Sequence, residues 1–449
     1  MRRRLRPAWL AGLGLAGLLA LLALVVARPA RRAAPDPPSV PVPPATAPGR
    51  APAGPAPDAQ QGFLYGRVTT DAGAVYEGRL RLGGDDEAFW GDTFKGYKEG
   101  NPWVAMVPPE RIERRVPIRL LGLEIVRLRR EVELGRPLML RYGDIVSIAL
   151  SRLVIRVTLK SGGVYGLDRL DADDLSEGLR VWDAARGVQD LGERQLRRID
   201  LLPTARLADA PARLQGTLRT RQGDFSGFVQ WGGGQRVDTD LLAGHDADVA
   251  HELPFAEIRA IAPAPGDGAR LMLRDGRELL LAGSRDLGPA SRAIVVEDPR
   301  YGRVLVDWAA FERVDFVAGG SGPAYADFPP GRPLEGSVST RDGRRLTGRL
   351  VFDLDERETT ETLDAPDRDL DYTLPFDRVA VIALPEAGAG AEARARVTLR
   401  SGETLALELG GDLGPQNAGI LVFGTVPARP EHLPWSEVSR IELGQAAAP

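Results

Sequence analysis

The sequence predicts an all-β protein, and three recurrences predict it. The run Arg396-Val397-Thr398-Leu399-Arg400-Ser401-Gly402 returns nearly unchanged as Arg156-Val157-Thr158-Leu159-Lys160-Ser161-Gly162. It returns in pattern as Arg270-Leu271-Met272-Leu273-Arg274-Asp275-Gly276. Apolar and polar residues alternate and the run stops at Ser-Gly or Asp-Gly, as a strand does on entering a tight hairpin. A frame of glycines recurs as well: Gly66, Gly73 and Gly78, then Gly216, Gly223 and Gly227, then Gly336, Gly343 and Gly348. It brackets strand, turn, strand. Closing stretches carry an aromatic and two aliphatic residues at equal steps: Tyr142, Ile145 and Ile148; Phe255, Ile258 and Ile261; Phe376, Val379 and Ile382. That spacing predicts one 3₁₀ turn, its aromatic plugging the end of a barrel, ahead of a short strand.

Taken from the N-terminus, Arg2, Arg3, Arg4 and Arg6 precede a low-polarity run from Trp9 to Ala27. A charged start and a run about long enough to span a bilayer predict a hydrophobic helix over 1–27 that serves as a signal anchor. Val25 and Ala27 also fit a cleavage site, so a removed signal peptide is the alternative. Four arginines on its N-terminal side favour N-in, C-out. Residues 28–61 are rich in Pro and Ala without apolar periodicity, which makes them a semi-rigid spacer.

The repeats then divide the chain into three tandem modules, 62–205, 206–318 and 333–445, each made of an opening and a closing half. The second half is best preserved from Arg270 to Val296 and from Arg396 to Val422, including Asp286-Leu287-Gly288-Pro289 and Asp412-Leu413-Gly414-Pro415. Gly319-Gly320-Ser321-Gly322-Pro323 marks residues 319–332 as a linker. The first module carries an arginine-rich insertion, 111–136, that reads equally as an extra hairpin or a short helix.

Strand, Asp-Gly turn, and a second strand with Gly-x-Leu form a pattern that resembles Sm-like and SH3-like small barrels. Arg341-Asp342-Gly343-Arg344-Arg345-Leu346-Thr347-Gly348-Arg349-Leu350 resembles the first Sm motif most closely. The resemblance implies two SH3-like or Sm-like barrel halves per module and no activity, since small barrels host unrelated functions. No counterpart of the second Sm motif's glycine-based RNA-binding turn is apparent.

Composition narrows the functional classes. With 58 basic and 62 acidic residues the formal charge is −4, which gives no electrostatic reason to expect nucleic acid. The basic residues are arginine apart from Lys95, Lys98 and Lys160, a usage suggestive of a GC-rich bacterial genome. There is no cysteine, hence no disulfide, thiolate metal site or cysteine nucleophile. His245, His251 and His432 all lie beside loop-like sequence, a poor basis for imidazole chemistry or zinc. No Gly-x-Ser-x-Gly elbow, phosphate-binding Gly-Lys-Ser/Thr loop or His-Glu-x-x-His helix is present. No catalytic residue, metal ligand or cofactor is expected.

The richest cluster lies between Glu87 and Trp103. Glu87, Trp90, Asp92, Lys95, Tyr97, Lys98 and Trp103 combine aromatic faces with carboxylates and amines, which is what a glycan or small-ligand site needs. Two of the three lysines fall here. Their other reading is cement for an enlarged first module. A second cluster, from Asp353 to Asp371, is acidic, with Asp355, Glu356, Glu358 and Glu361 among its members. Its spacing departs from the calcium loop, so it reads as a solvated hairpin whose charge discourages edge pairing.

These features predict a non-enzymatic cell-envelope binding or scaffolding protein. It would sit on the periplasmic side of a bacterial inner membrane, or in the periplasm if its signal is cleaved. Its partner would be an envelope protein or a glycan. The alternative is a glycan- or small-ligand-binding enzyme with its site in the Glu87–Trp103 loop.

Overall fold

The computed structural model describes residues 61–444 other than 99, 109–112, 121–122, 132–135, 169–172, 206, 208–209, 233, 247–248, 285, 290, 292, 321, 387, 389, 391 and 425–428. The N-terminal hydrophobic run and the Pro/Ala-rich spacer lie outside the described residues. The protein is all-β. Helical pieces among the described residues are single 3₁₀ turns, and no helix there is long and apolar enough to cross a membrane.

Three runs of eight strands share one order of neighbours. The first is 187–191, 179–183, 75–82, 65–70, 196–201, 145–150, 154–159 and 164–168. The second is 302–306, 294–298, 223–230, 215–220, 311–317, 258–264, 268–273 and 278–282. The third is 431–433, 420–423, 345–352, 335–340, 438–443, 379–383, 394–399 and 404–408. Register recurs with order: Gly66 faces Gly78, Gly216 faces Gly227, and Gly336 faces Gly348. A Cβ on Gly78, Gly227 or Gly348 would stand 1.9, 1.9 and 2.0 Å from a carbonyl oxygen of the neighbouring strand. The outer glycines of the frame are therefore required by close backbone approach, while Gly73 and Gly343 serve the turn through positive φ.

The expected 3₁₀ turns are Tyr142–Asp144, Phe255–Glu257 and Phe376–Arg378, each with its aromatic ring buried and a strand beginning at the next residue. Carboxylates tie the loops in the same places. Asp174 accepts the backbone N–H of Lys95, Asp286 that of Ala243 and Asp412 that of Asp364.

The second and third runs are joined. The hairpin 362–375 leaves its own segment and pairs with strand 302–306, Arg303 opposite Thr373 and Val306 opposite Leu370. That continuity makes one twelve-stranded sheet, and one apolar core extends from Leu214 to Leu443. The first segment has a separate core, into which the remainder of the chain inserts Phe228 and Phe328. Among the described residues, all strand pairs and apolar clusters lie between Phe63 and Leu443, so the sheets and cores described are complete within 61–449.

Two segments read from the sequence take definite form. The insertion is a hairpin: Glu113–Leu120 pairs antiparallel with Leu123–Glu131 in a two-stranded sheet that joins no other described strand. Within residues 319–332, read from their glycines as a linker, Tyr325 and Phe328 pack on the first segment. Tyr325 donates its hydroxyl to the Ile145 carbonyl at 2.7 Å, and Phe328 is 5% exposed. Two aromatic rings bury more apolar surface than a glycine-rich stretch gains by staying solvated.

Candidate functional site

The seven residues singled out between Glu87 and Trp103 do not converge on one opening. Glu87 is buried and accepts Arg79 Nη2 at 2.7 Å and Arg81 Nη2 at 3.1 Å. Asp92 is saturated. One of its oxygens takes the backbone N–H groups of Glu87 and Ala88 at 2.8 and 2.9 Å, and the other takes Gln230 Nε2 at 2.7 Å and Arg236 Nε at 2.8 Å. A carboxylate with four donors, two of them from the second segment, fixes an interface. Beside it, Asp86 accepts the Tyr142 hydroxyl at 3.1 Å, and burial, then the Asp92 charge, pushes its carboxyl well above the usual range.

Trp90 is buried, its ring 4.8 Å from the Arg378 guanidinium and 6.5 Å from the Phe328 ring. The cavity it lines with Thr93, Arg141, Glu297, Arg303 and Thr360 measures about 20 Å³. That is room for a water, far below the roughly 300 Å³ or more of a ligand pocket. Lys95 is half-buried, and Tyr97, 54% exposed, ends strand 93–97 opposite Pro137 of strand 137–141. Trp103 lies elsewhere, packed with Val107, Val351, Leu354 and Leu421 and edge-on to Phe423 at 6.1 Å.

Lys98 explains why an amine stands where this chain otherwise uses arginine. Its Nζ sits 2.7 Å from Asp355 and 2.6 Å from Glu361, and 5.3 Å from the centre of the Tyr165 ring. A compact point charge on a flexible stem fits between two carboxylates where a planar fork is less suited. Burial lowers the Lys98 ammonium, but Glu361 and Asp355 outweigh it and hold it above its ordinary value. Arg136 adds a second cation on Asp355 at 2.7 Å, and Ser161 donates to Glu358 at 2.8 Å.

The part of the acidic stretch from Asp355 to Glu361 is thus corrected from a solvated hairpin to a face that docks on the first segment, whereas Asp367 and Asp371 lie in the hairpin 362–375, Asp371 exposed. Asp355, Glu358 and Glu361 are all buried there. Its tip is strained to do so. Asp353 and Leu354 have φ of 49° and 53°, where the matching turns carry Gly83 with Gly84 and Gly232. The bridges Leu82 to Asp86, Trp231 to Gln235 and Phe352 to Glu356 mark the three turns as equivalent. Left-handed backbone costs a non-glycine residue about 1 kcal/mol or more. In return Leu354 buries its side chain against Trp103 and Val107.

The pocket expected of the enzyme reading, with Trp90, Tyr97 and Trp103 around facing Glu87 and Asp92, is therefore not formed. Two buried rings in separate clusters and two paired carboxylates leave it without a lining.

The outward face of the first segment offers a different site. A groove of about 470 Å³ is floored by Leu179 and Leu191 and edged by Arg81, Glu177, Arg180 and Asp190. It runs along strand 187–191, which ends its sheet and pairs on one side with 179–183 among the described strands. Arg180 and Asp190 clasp across the pair at 2.6 Å. Next to it, Trp182 carries the Arg79 guanidinium 4.1 Å over its ring. Val188 on this edge is 52% exposed, and Val249 on strand 249–254, an edge of the twelve-stranded sheet, is 59% exposed. Sequence reasoning missed these edges because they are ordinary strands; their end position is set by pairing.

In comparisons with known proteins, the chain matches no family model, no curated protein and no solved structure.

Proposed function

We propose that this chain is a non-enzymatic cell-envelope scaffold that captures an envelope partner by adding the partner's strand to its open sheet edges. Residues 1–27 would hold it on the periplasmic side of the inner membrane, or route it to the periplasm if cleaved, with 28–61 as spacer. Three modules, 62–205, 206–318 and 333–445, each of two SH3-like or Sm-like halves, would form the binding body. The shared strand order and the recurring glycine and carboxylate positions support the modular reading.

One observation carries the binding reading. The polar and aromatic residues richest in chemistry are spent between segments, whereas edges 187–191 and 249–254 keep an open side with an exposed valine. An unpaired edge is a template for an incoming strand: backbone hydrogen bonds give affinity and alternate side chains give choice. Two edges on one body multiply weak contacts through effective concentration. A cross-linking capture from solubilised envelope tests it, with residues 61–449 as bait beside a Val188→Lys/Val249→Lys variant. Edge lysines should abolish capture of a partner held by the wild type, and undiminished capture would reject the edges.

A further inference from the structure

Resting on the edge-capture reading above, we propose that strand 187–191 of one molecule pairs with strand 249–254 of a second copy of this chain. The chain already makes such a joint once. Strand 302–306 ends the strand order of the second segment, and strand 370–375 of the third segment pairs with it. Arg303 faces Thr373, Val304 faces Tyr372, Leu305 faces Asp371 and Val306 faces Leu370. Strand 187–191 holds the same place in the first segment as 302–306 does in the second. Asp183 faces Gly187 and Asp298 faces Gly302 at the same turn, and each aspartate accepts a backbone N–H from the strand beyond, Glu77 and Ser226, at 2.9 Å. Strand 249–254 in turn matches 370–375. Both end in Leu-Pro ahead of a 3₁₀ turn that begins on a buried phenylalanine, Phe255 or Phe376. Both halves of the joint thus occur a second time, and both are open: strand 187–191 ends the eight-stranded sheet and 249–254 ends the twelve-stranded one.

A glycine marks the seat. A Cβ on Gly302 would stand 2.6 Å from Cδ of Pro375 and 2.8 Å from the Thr373 carbonyl oxygen, because the incoming strand crosses there. On Gly187 the same Cβ would meet no described atom within 4 Å. Both glycines have positive φ, 94° and 72°, so the two turns are alike and one seat is filled while the other is empty. Pro254 holds the position of Pro375 and fits that space. Carrying the register across puts Val188 opposite Glu252, Gln189 opposite His251, Asp190 opposite Ala250 and Leu191 opposite Val249. No rung opposes like charges, one pairs two hydrogen-bonding side chains, and one joins two aliphatic ones. Val188 and Val249, 52% and 59% exposed, both enter the pair. An edge that bears an uncovered valine is open to strand pairing. Beside Leu191 the groove of about 470 Å³ leaves room for the arriving strand. The two edges are different surfaces, so copies join head to tail and either extend or close into a ring.

The chain has no cysteine, so an introduced thiol is the only one. Residues 61–449 carrying Gln189→Cys are mixed under mild oxidation with tagged residues 61–449 carrying His251→Cys, and the mixed disulfide is measured. A thiol at Leu153, 77% exposed between strands 145–150 and 154–159, replaces Gln189→Cys as the collision control. The Gln189/His251 pair should cross-link well above that control. Val188→Glu on the first protein sets a carboxylate opposite Glu252 and should cut the yield roughly fivefold, and Glu252→Arg on the second should restore it. A rescue between two molecules cannot come from misfolding of either. Equal yields from the pair and the control overturn the proposal. So does a dominant Gln189-to-Gln189 disulfide in the first preparation alone, because like edges then meet. Absent cross-linking, with another envelope protein captured by the wild type and lost by Val188→Lys/Val249→Lys, would overturn self-pairing and leave the edge reading standing. Absent cross-linking with no edge-dependent capture would overturn both.

Discussion

Lys98 and Asp355, 257 positions apart along the chain, meet at 2.7 Å with both side chains nearly closed to solvent. Around that contact the first and third segments lock, with Arg136 on the same carboxylate and Glu361 on the same amine. Lys98→Met leaves Asp355 and Glu361 buried without their shared cation. Breaking one partner of a buried network costs about 3–5 kcal/mol, so thermal unfolding should move well down. Adding Glu361→Gln should return part of the loss in a double-mutant cycle. A Lys98→Met variant as stable as the wild type would show that the segments are held by something else.

Leu354 sits in left-handed backbone in order to reach Trp103. Leu354→Ala keeps the strain and removes the packing, and should cost about 2–5 kcal/mol by chemical denaturation. A ΔΔG near zero would mean that the ring does not depend on it.

Asp353 supplies a pH dependence. Burial lifts its carboxyl from 3.8 to about 7, against the Ala418 N–H that it accepts. A raised carboxyl pKa means that the folded form holds the proton more tightly between those values. Its contribution to stability is complete below about 4 and is lost as pH rises through 7. Asp353→Asn removes that loss. Its melting temperature relative to wild type should climb between pH 5 and pH 8; a flat or falling difference would contradict the assignment.

Gly143 accommodates the ring of Phe328, and a Cβ there would stand 2.3 Å from it. Gly143→Ala should destabilise by about 1–3 kcal/mol, with Phe328→Leu relieving part of the clash. Additive effects in the cycle would show that the two sites are uncoupled.

Much of this architecture is legible in the sequence, because strand period and turn glycines act over a few residues. Gly66 with Gly78 and Phe376 with Val379 can be found by eye. The fate of the Glu87–Trp103 loop was not legible. Aromatics beside charges describe a ligand site and a buried interface equally well, and the partner of Lys98 lies in another segment of the chain. One signal did exist. Where two segments carry glycine in the turn after the opening hairpin, the third carries Asp353-Leu354, an expensive choice that points to a packing duty. Tyr325 and Phe328 were likewise hidden behind the glycines of 319–323, whose flexibility reads as a linker whatever follows. The insertion's alternating pattern in turn resolved into a hairpin only once its register was seen.

The central claim is that recognition lies on the open edges while the aromatic loop is internal. The direct measurement is envelope capture by three folded baits of residues 61–449: wild type, Val188→Lys/Val249→Lys, and Lys95→Ala/Tyr97→Ala, the last altering the two least buried of the seven residues singled out. The edge variant should lose a partner that the wild type and the loop variant both retain. Loss by the loop variant with retention by the edge variant would contradict the account and return recognition to the residues around Tyr97.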